Sequence, residues 1–456
     1  MPNQIFDRFA AATPVCVAVR GLMESALNAP FLDRLFARTA VQQYQKELLF
    51  STCVDLMAGV VCRTHKSVNS AHRDLAGAAA VSVQSLYEKL AGIEPEMSAE
   101  LVRQTSGRLQ SVIGRLKGAL PAFVAGYRTK VLDGNHLART ERRLKPLRDV
   151  AAGPLPGQTL VVFDPALGLV VDLVACEDGH AQERSLMAPI LSGAEADDLW
   201  VADRNFCTTG IVFGLAERSA KFAIRQHSST LCWEMEGVRR AVGRCPSGKL
   251  FEQWIMLEDR EGGRLKVRRV TLVLDEPTRE GETAIHVVTN LPKSVSASKV
   301  MEVYRKRWRI EALFQDMTMI LKCEIDTLGY PRAALFGFCV AVVAANVLAT
   351  VKAALRVAHP AAKVEEEVSN YYLADELGGN YRGMMVALPP EFWKPISDLD
   401  DDQLASWLRE VLGKAKLSRY RKSPRGPKKP FVKRTRFAQK KHISTAKLLA
   451  EEAGKK

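Results

Sequence analysis

Residues 159–176 read TLVVFDPALGLVVDLVAC. Two apolar, β-branched runs, Thr159–Asp164 and Leu169–Cys176, flank the link Pro165-Ala166-Leu167-Gly168. Short runs of that kind on either side of a Pro/Gly break predict two strands joined as a hairpin. Upstream, Tyr127–Leu132 reads as a strand that ends at an Asp133-Gly134 turn. Downstream comes a helical stretch near Gln182–Leu191. Leu199–Ala202 then forms a short strand ending at Asp203, and helical spacing resumes over Thr208–Arg218. The order strand, strand, strand, helix, strand, helix predicts a mixed sheet covered by helices, an α/β layer fold.

Further out the pattern changes twice. From Lys221 to about Leu291 the runs KFAIRQ, FEQWIML, KVRRVTLVL and AIHVVTNL are separated by breaks such as CPSGK and EDREGG. They read as a β-rich insertion before a helix that begins near Ser294. Residues 1–125 read as a helical N-terminal domain, with three- and four-residue apolar steps in Val41–Met57 and Leu101–Leu116 and a break at Gly92–Met97. This domain is either a DNA-end recognition unit or a packing platform, and periodicity does not separate the two. The expected organisation is therefore 1–125 helical, 126–350 the α/β core with its insertion at about 221–291, 351–413 a helical C-terminal region that includes Pro390–Leu412, and 414–456 a basic tail.

That tail holds the charge. The chain of 456 residues has a net charge of +14, and residues 414–456 carry 16 Lys or Arg against Glu451 and Glu452, so the rest is neutral overall. Tyr420, Phe431 and Phe437 and the prolines 424, 427 and 430 interleave the charge. A solvated arm of this composition suits a chain laid along a phosphate backbone, although a purely solubilising tail has the same composition. Nine scattered cysteines without a C-x-x-C pair fit reduced thiols in a cytosolic protein and argue against a zinc knuckle. The start MPNQIFDRFA lacks a secretory pattern. Between Arg332 and Lys352 lie 19 uncharged residues, long enough for a membrane span. Their small residues, with Gly337, Asn346 and Thr350 among them, favour a buried core helix instead.

The candidate chemistry rests on acids. In an open sheet, side chains beyond the strand ends are free of the ladder, so Asp133 and Asp203 are placed to share one cation site. Each is also what an ordinary turn uses. Residues 304–314 read YRKRWRIEALF, in which Tyr304, Arg307 and Glu311 step by three and then four and share one helix face. A phenol, a guanidinium and a carboxylate on one stripe suit a phosphate and a metal, while a plain Glu–Arg surface pair has the same spacing.

Taken together, VLDGN around Asp133, VADRNF around Asp203, the β insertion, YRKRWRIEALF and the following LGYPRAALFGF resemble the DDE transposases of the insertion-sequence-four family. The resemblance covers about residues 125–350. It implies a ribonuclease-H-like core in which Asp133, Asp203 and Glu311 hold two Mg²⁺ ions, with Mn²⁺ able to substitute. It also implies double-stranded DNA partners (the element's terminal inverted repeats and a target), cut-and-paste transfer of a freed 3′-hydroxyl, a homodimer in the end-paired complex, and a cytoplasmic, nucleoid-associated setting in bacteria. Tyr304 and Arg307 are implied DNA contacts. The family places a Lys seven residues after the Glu, where this chain has Thr318; Lys322, three turns further along the same face, is the expected substitute. Some relatives carry a Trp in the last insertion strand to receive a flipped base, and AIHVVTN has none. Two alternatives stand beside this reading: a DNA nuclease on the same core, and a catalytically silent DNA-binding descendant.

Overall fold

The computed structural model describes residues 4–75, 81–137, 144, 147, 153–227, 230–278, 281–423 and 442–454. In chain order the strands are β1 (Arg128–Leu137), β2 (Gly153–Leu155), β3 (Gly157–Asp164), β4 (Leu169–Cys176), β5 (Asp198–Ala202), β6 (Lys221–Arg225), β7 (Cys232–Met235), β8 (Arg240–Cys245), β9 (Gly248–Glu258), β10 (Arg264–Leu274), β11 (Ala284–Thr289) and β12 (His442–Ser444). One mixed sheet runs β4-β3-β1-β5-β6-β11-β10-β9-β7, with β8 on β9. The β3–β4 hairpin forms as predicted, and Gly168 at φ +76° supplies the left-handed residue its turn requires. β1 pairs antiparallel with β3 and parallel with β5, and β5 pairs parallel with β6.

Both faces of the sheet's β1, β3 and β5 part are covered. Val131, Val161 and Val201 face the larger core, built with the N-terminal helices and the helix Pro331–Ala358. Leu132, Leu160 and Ala202 face a second core under the helices Met187–Ser192 and Thr209–Glu217. Burial on both sides explains why these strands read as continuous apolar runs rather than alternating ones.

Three expectations change. KFAIRQ is β6, a member of the core sheet beside β5, and the later insertion strands extend that same sheet. Residues 41–49 are irregular and the helix starts at Phe50, because Leu49 takes an extended conformation. β1 does not stop at Asp133-Gly134 but continues to Leu137, since β3 supplies partners through Leu137↔Gly157. β7 and β8 escaped the sequence reading because they are short and almost wholly exposed, so no apolar pattern marks them.

The uncharged stretch lies in Pro331–Ala358, a helix long and apolar enough to cross a membrane, and 83% of its apolar window is buried inside the protein. It packs on the helices Pro95–Leu116, Phe50–Val61 and Asp401–Gly413 and on β4. Asn346 explains the one strongly polar group there: its Oδ1 accepts from the Val170 N–H at 2.8 Å and its Nδ2 donates to the Val170 carbonyl at 2.8 Å. The side chain thus completes the free edge of β4. Asn346→Leu is expected to lower unfolding free energy in a denaturant titration by about 2 kcal/mol or more, because two buried backbone groups lose their partners.

The described parts of the basic tail are tied down rather than free. Tyr420 is buried and donates to Glu376, and β12 pairs in parallel with β2. The prolines at 424, 427 and 430, Phe431 and Phe437 lie outside the described residues.

Candidate active site

The parallel register brings the two aspartates together. The β1–β5 pairing ends at Leu132↔Ala202, so Asp133 and Asp203 are the next residues on neighbouring strands. Side chains alternate along a strand, so both carboxyls turn to the face of Val131 and Val201, the side of the larger core. The Gly134 N–H donates to Asp133 Oδ1 at 3.0 Å.

The third acid arrives from that face, though not on one continuous helix. The helix Ala297–Arg305 and the helix Trp308–Met319 meet at Lys306 and Arg307. The junction is tightened by bonds of 310 type, from the Arg307 N–H to the Tyr304 carbonyl and from the Ile310 N–H to the Arg307 carbonyl, both at 3.0 Å. In such a turn residues three apart eclipse, which keeps Tyr304 and Arg307 on the same side. The junction therefore separates the helices without separating the predicted stripe.

Arg307 ties the stripe to the sheet. Its Nη1 donates to Asp133 Oδ2 at 2.9 Å and its Nη2 to Glu311 Oε1 at 2.8 Å. Tyr304 donates its hydroxyl to Asp203 Oδ1 at 3.2 Å. Arg225, at the end of β6, hydrogen-bonds the Tyr304 oxygen and pairs with Glu282. With the guanidinium placed between Asp133 and Glu311, no group of three His, Cys, Asp or Glu side chains among the described residues is arranged to hold one metal ion.

Negative charge is in excess here. Burial pushes the Asp133 carboxyl up to about 6, with Glu183 and Glu311 adding repulsion, and Arg307 and the Gly134 N–H offset only part of this. Burial works against the Arg307 charge too, but Asp133, Tyr304, Asp203 and Glu311 outweigh it and raise its pKa. Burial and the Asp203 charge push the Tyr304 phenol up to about 12, so it stays a donor. A carboxyl raised in the fold stabilises the protonated folded state. That contribution is complete below the unfolded value near 4 and is lost as pH rises through about 6. The metal-free protein is therefore expected to lose about 2 kcal/mol of this contribution between pH 4 and pH 7. Asp133→Asn should lack that loss in paired denaturation curves, and an identical pH dependence in the two proteins would contradict it.

Of the predicted site residues, the structure links Asp133, Asp203, Tyr304, Arg307 and Glu311. Lys322 stands apart: the helix ends at Met319, and the Lys322 amine donates to the Lys66 carbonyl at 3.0 Å. It does not continue the helical face. Sequence reasoning passed over Arg225, whose place at the end of a parallel strand was a usable signal. It also passed over Glu183, which sits in a 310 turn without any motif. Trp233, on β7, carries Arg269 over its ring at 4.9 Å.

Against known families, residues 158–346 match the model described as a transposase DDE domain. The match contains Asp203 and Glu311 and begins after Asp133. A mixed α/β sheet with many helices is compatible with such a domain. Among curated proteins, none matches the chain.

Proposed function

We propose that the chain is a DNA transposase of the insertion-sequence-four type, cutting element ends and joining the freed 3′-hydroxyl to target DNA. The observation that carries this reading is the placement of Asp133 and Asp203 in register on adjacent parallel strands, with Arg307 linking Asp133 to Glu311. The strand order β4-β3-β1-β5-β6, antiparallel then parallel, supports a ribonuclease-H-like core, and the transposase-domain match supports the chemistry.

The donor set suits a hard divalent cation: three carboxylates and a phenol, all oxygen, with more negative charge than Arg307 neutralises. A guanidinium already lies between Asp133 and Glu311, in the position of a cation. Asp133, Asp203 and Glu311 would hold two Mg²⁺ ions, or Mn²⁺, once Arg307 turns to another anion. When bound, the ions supply an activated water or 3′-hydroxyl and stabilise the leaving oxygen.

The chain's own groups do the rest. Arg307, released from the acids, pairs with a phosphate near the cut, a planar donor suited to two oxygens. Tyr304 keeps its proton and fixes the Asp203 carboxylate while the backbone is held. The tail from 414 onward adds positive charge along the duplex, and two copies pair the element's ends in the cytoplasm, on the nucleoid.

A tagged-end assay tests the reading. Labelled DNA bearing the inverted repeats that flank the gene is incubated with the full chain and Mg²⁺. Cleavage at the repeat boundary followed by a joined product is expected. Cleavage without joining makes the chain a nuclease, and binding with neither product makes it a silent binder.

A further inference from the structure

Glu183 begins the 310 turn Glu183–Leu186, between β4 and β5. It approaches the acids from the opposite face of the sheet. Gly134 alternates with Asp133 along β1, and its missing side chain leaves a gap that the Glu183 carboxyl fills. A Cβ at Gly134 would overlap that carboxyl and lie 2.7 Å from Glu183 Cγ. Asn205, two residues after Asp203, donates its amide to Glu183 Oε2 at 3.0 Å. The Glu183 charge acts on Asp133 in the same direction as that of Glu311.

A second observation, at the arginine that bridges Asp133 and Glu311, points to a ligand beside these acids. Arg307 is 7% exposed, and among the described residues its Nε–H has no acceptor, although both of its Nη groups are bonded to acids. Buried donors of this kind are normally satisfied. An oxygen ligand that carries its own cations meets both needs, giving an acceptor to Arg307 and positive charge to the carboxylates.

Resting on the metal reading above, we propose that Glu183 is a fourth carboxylate of the cation site, admitted by Gly134 and clamped by Asn205. It reaches the ions from the face opposite Tyr304 and Arg307. The site would then be flanked by acids on both sides of the strand ends, and Asp133-Gly134 is required as a pair: the carboxyl on one face, the opening on the other.

The test is Mn²⁺ binding to the full chain without DNA, followed by calorimetry and by the spin-resonance signal of free Mn²⁺. Glu183→Gln is expected to weaken one of the two ions by about tenfold or more. Gly134→Ala, which keeps the charge but displaces the carboxyl, is expected to do the same. Glu217→Gln, at an exposed side chain, serves as a control and should bind as the parent does. If Asp133→Asn weakens binding while Glu183→Gln and Gly134→Ala do not, the fourth-carboxylate assignment is wrong and the three-acid site stands. If the unaltered chain binds no Mn²⁺, the metal reading itself fails.

Discussion

Asp133→Asn, Asp203→Asn and Glu311→Gln are each expected to reduce DNA strand cleavage by at least about a thousandfold while binding of the DNA ends survives. Each change keeps the side chain's shape and removes one negative charge. The hydrogen bonds of the site survive the change, and Asp133 already prefers its proton up to about pH 6. Asp203 keeps an acceptor for the Tyr304 hydroxyl after amidation, and Glu311 keeps one for Arg307. With the ends bound, as proposed, by positive charge elsewhere, gel retardation should be unchanged. Cleavage at parental rate by any one of the three variants would remove that acid from the site.

The second large effect concerns how the helix that leads into the acid-bearing one is aimed. Arg268 on β10 is fully buried. It pairs with both oxygens of Glu252 at 3.1 Å, and its Nη1 donates to the carbonyls of Leu291 at 3.3 Å, Pro292 at 2.8 Å and Val295 at 2.9 Å. Those carbonyls belong to the loop from β11 to the helix Ala297–Arg305, whose C-terminal end carries Tyr304. One guanidinium therefore fixes where that helix begins. Arg268→Met preserves length but takes the donor from Glu252 and from the Leu291 and Val295 carbonyls, while Pro292 keeps the Val295 N–H. The expected loss is about 3–5 kcal/mol in urea denaturation, the range for removing one partner of a buried pair. A loss below 1 kcal/mol would mean that water replaces the arginine at this junction.

Much of the fold was legible because its signals are local. The hairpin Thr159–Cys176 could be read from two apolar runs and a Pro/Gly link, and Asp203 from the end of a short apolar strand. Lys221–Arg225 was misassigned because a buried strand reads the same whether it belongs to the core or to an insertion; only its pairing with β5 decides. The break at Lys306 and Arg307 was hidden because Arg307 keeps helical angles, φ −52° and ψ −35°, and only the hydrogen-bond pattern changes. Within the site, the spacing of Tyr304, Arg307 and Glu311 was visible in the sequence. Their connection to strands 174 and 101 residues earlier was carried by resemblance alone, and the structure supplies it as contacts of 2.9 and 3.2 Å respectively. Lys322 shows the limit of extrapolating a helix: its face was assigned past Met319, where the chain leaves the helix and turns towards the N-terminal helices.

The most direct test is an anomalous-scattering map of crystals of the full chain grown or soaked with Mn²⁺. Peaks bounded by Asp133, Asp203 and Glu311, with the Arg307 guanidinium turned off Asp133, are the predicted result. A map without such peaks at saturating Mn²⁺, with Arg307 still bridging Asp133 and Glu311, would contradict the account.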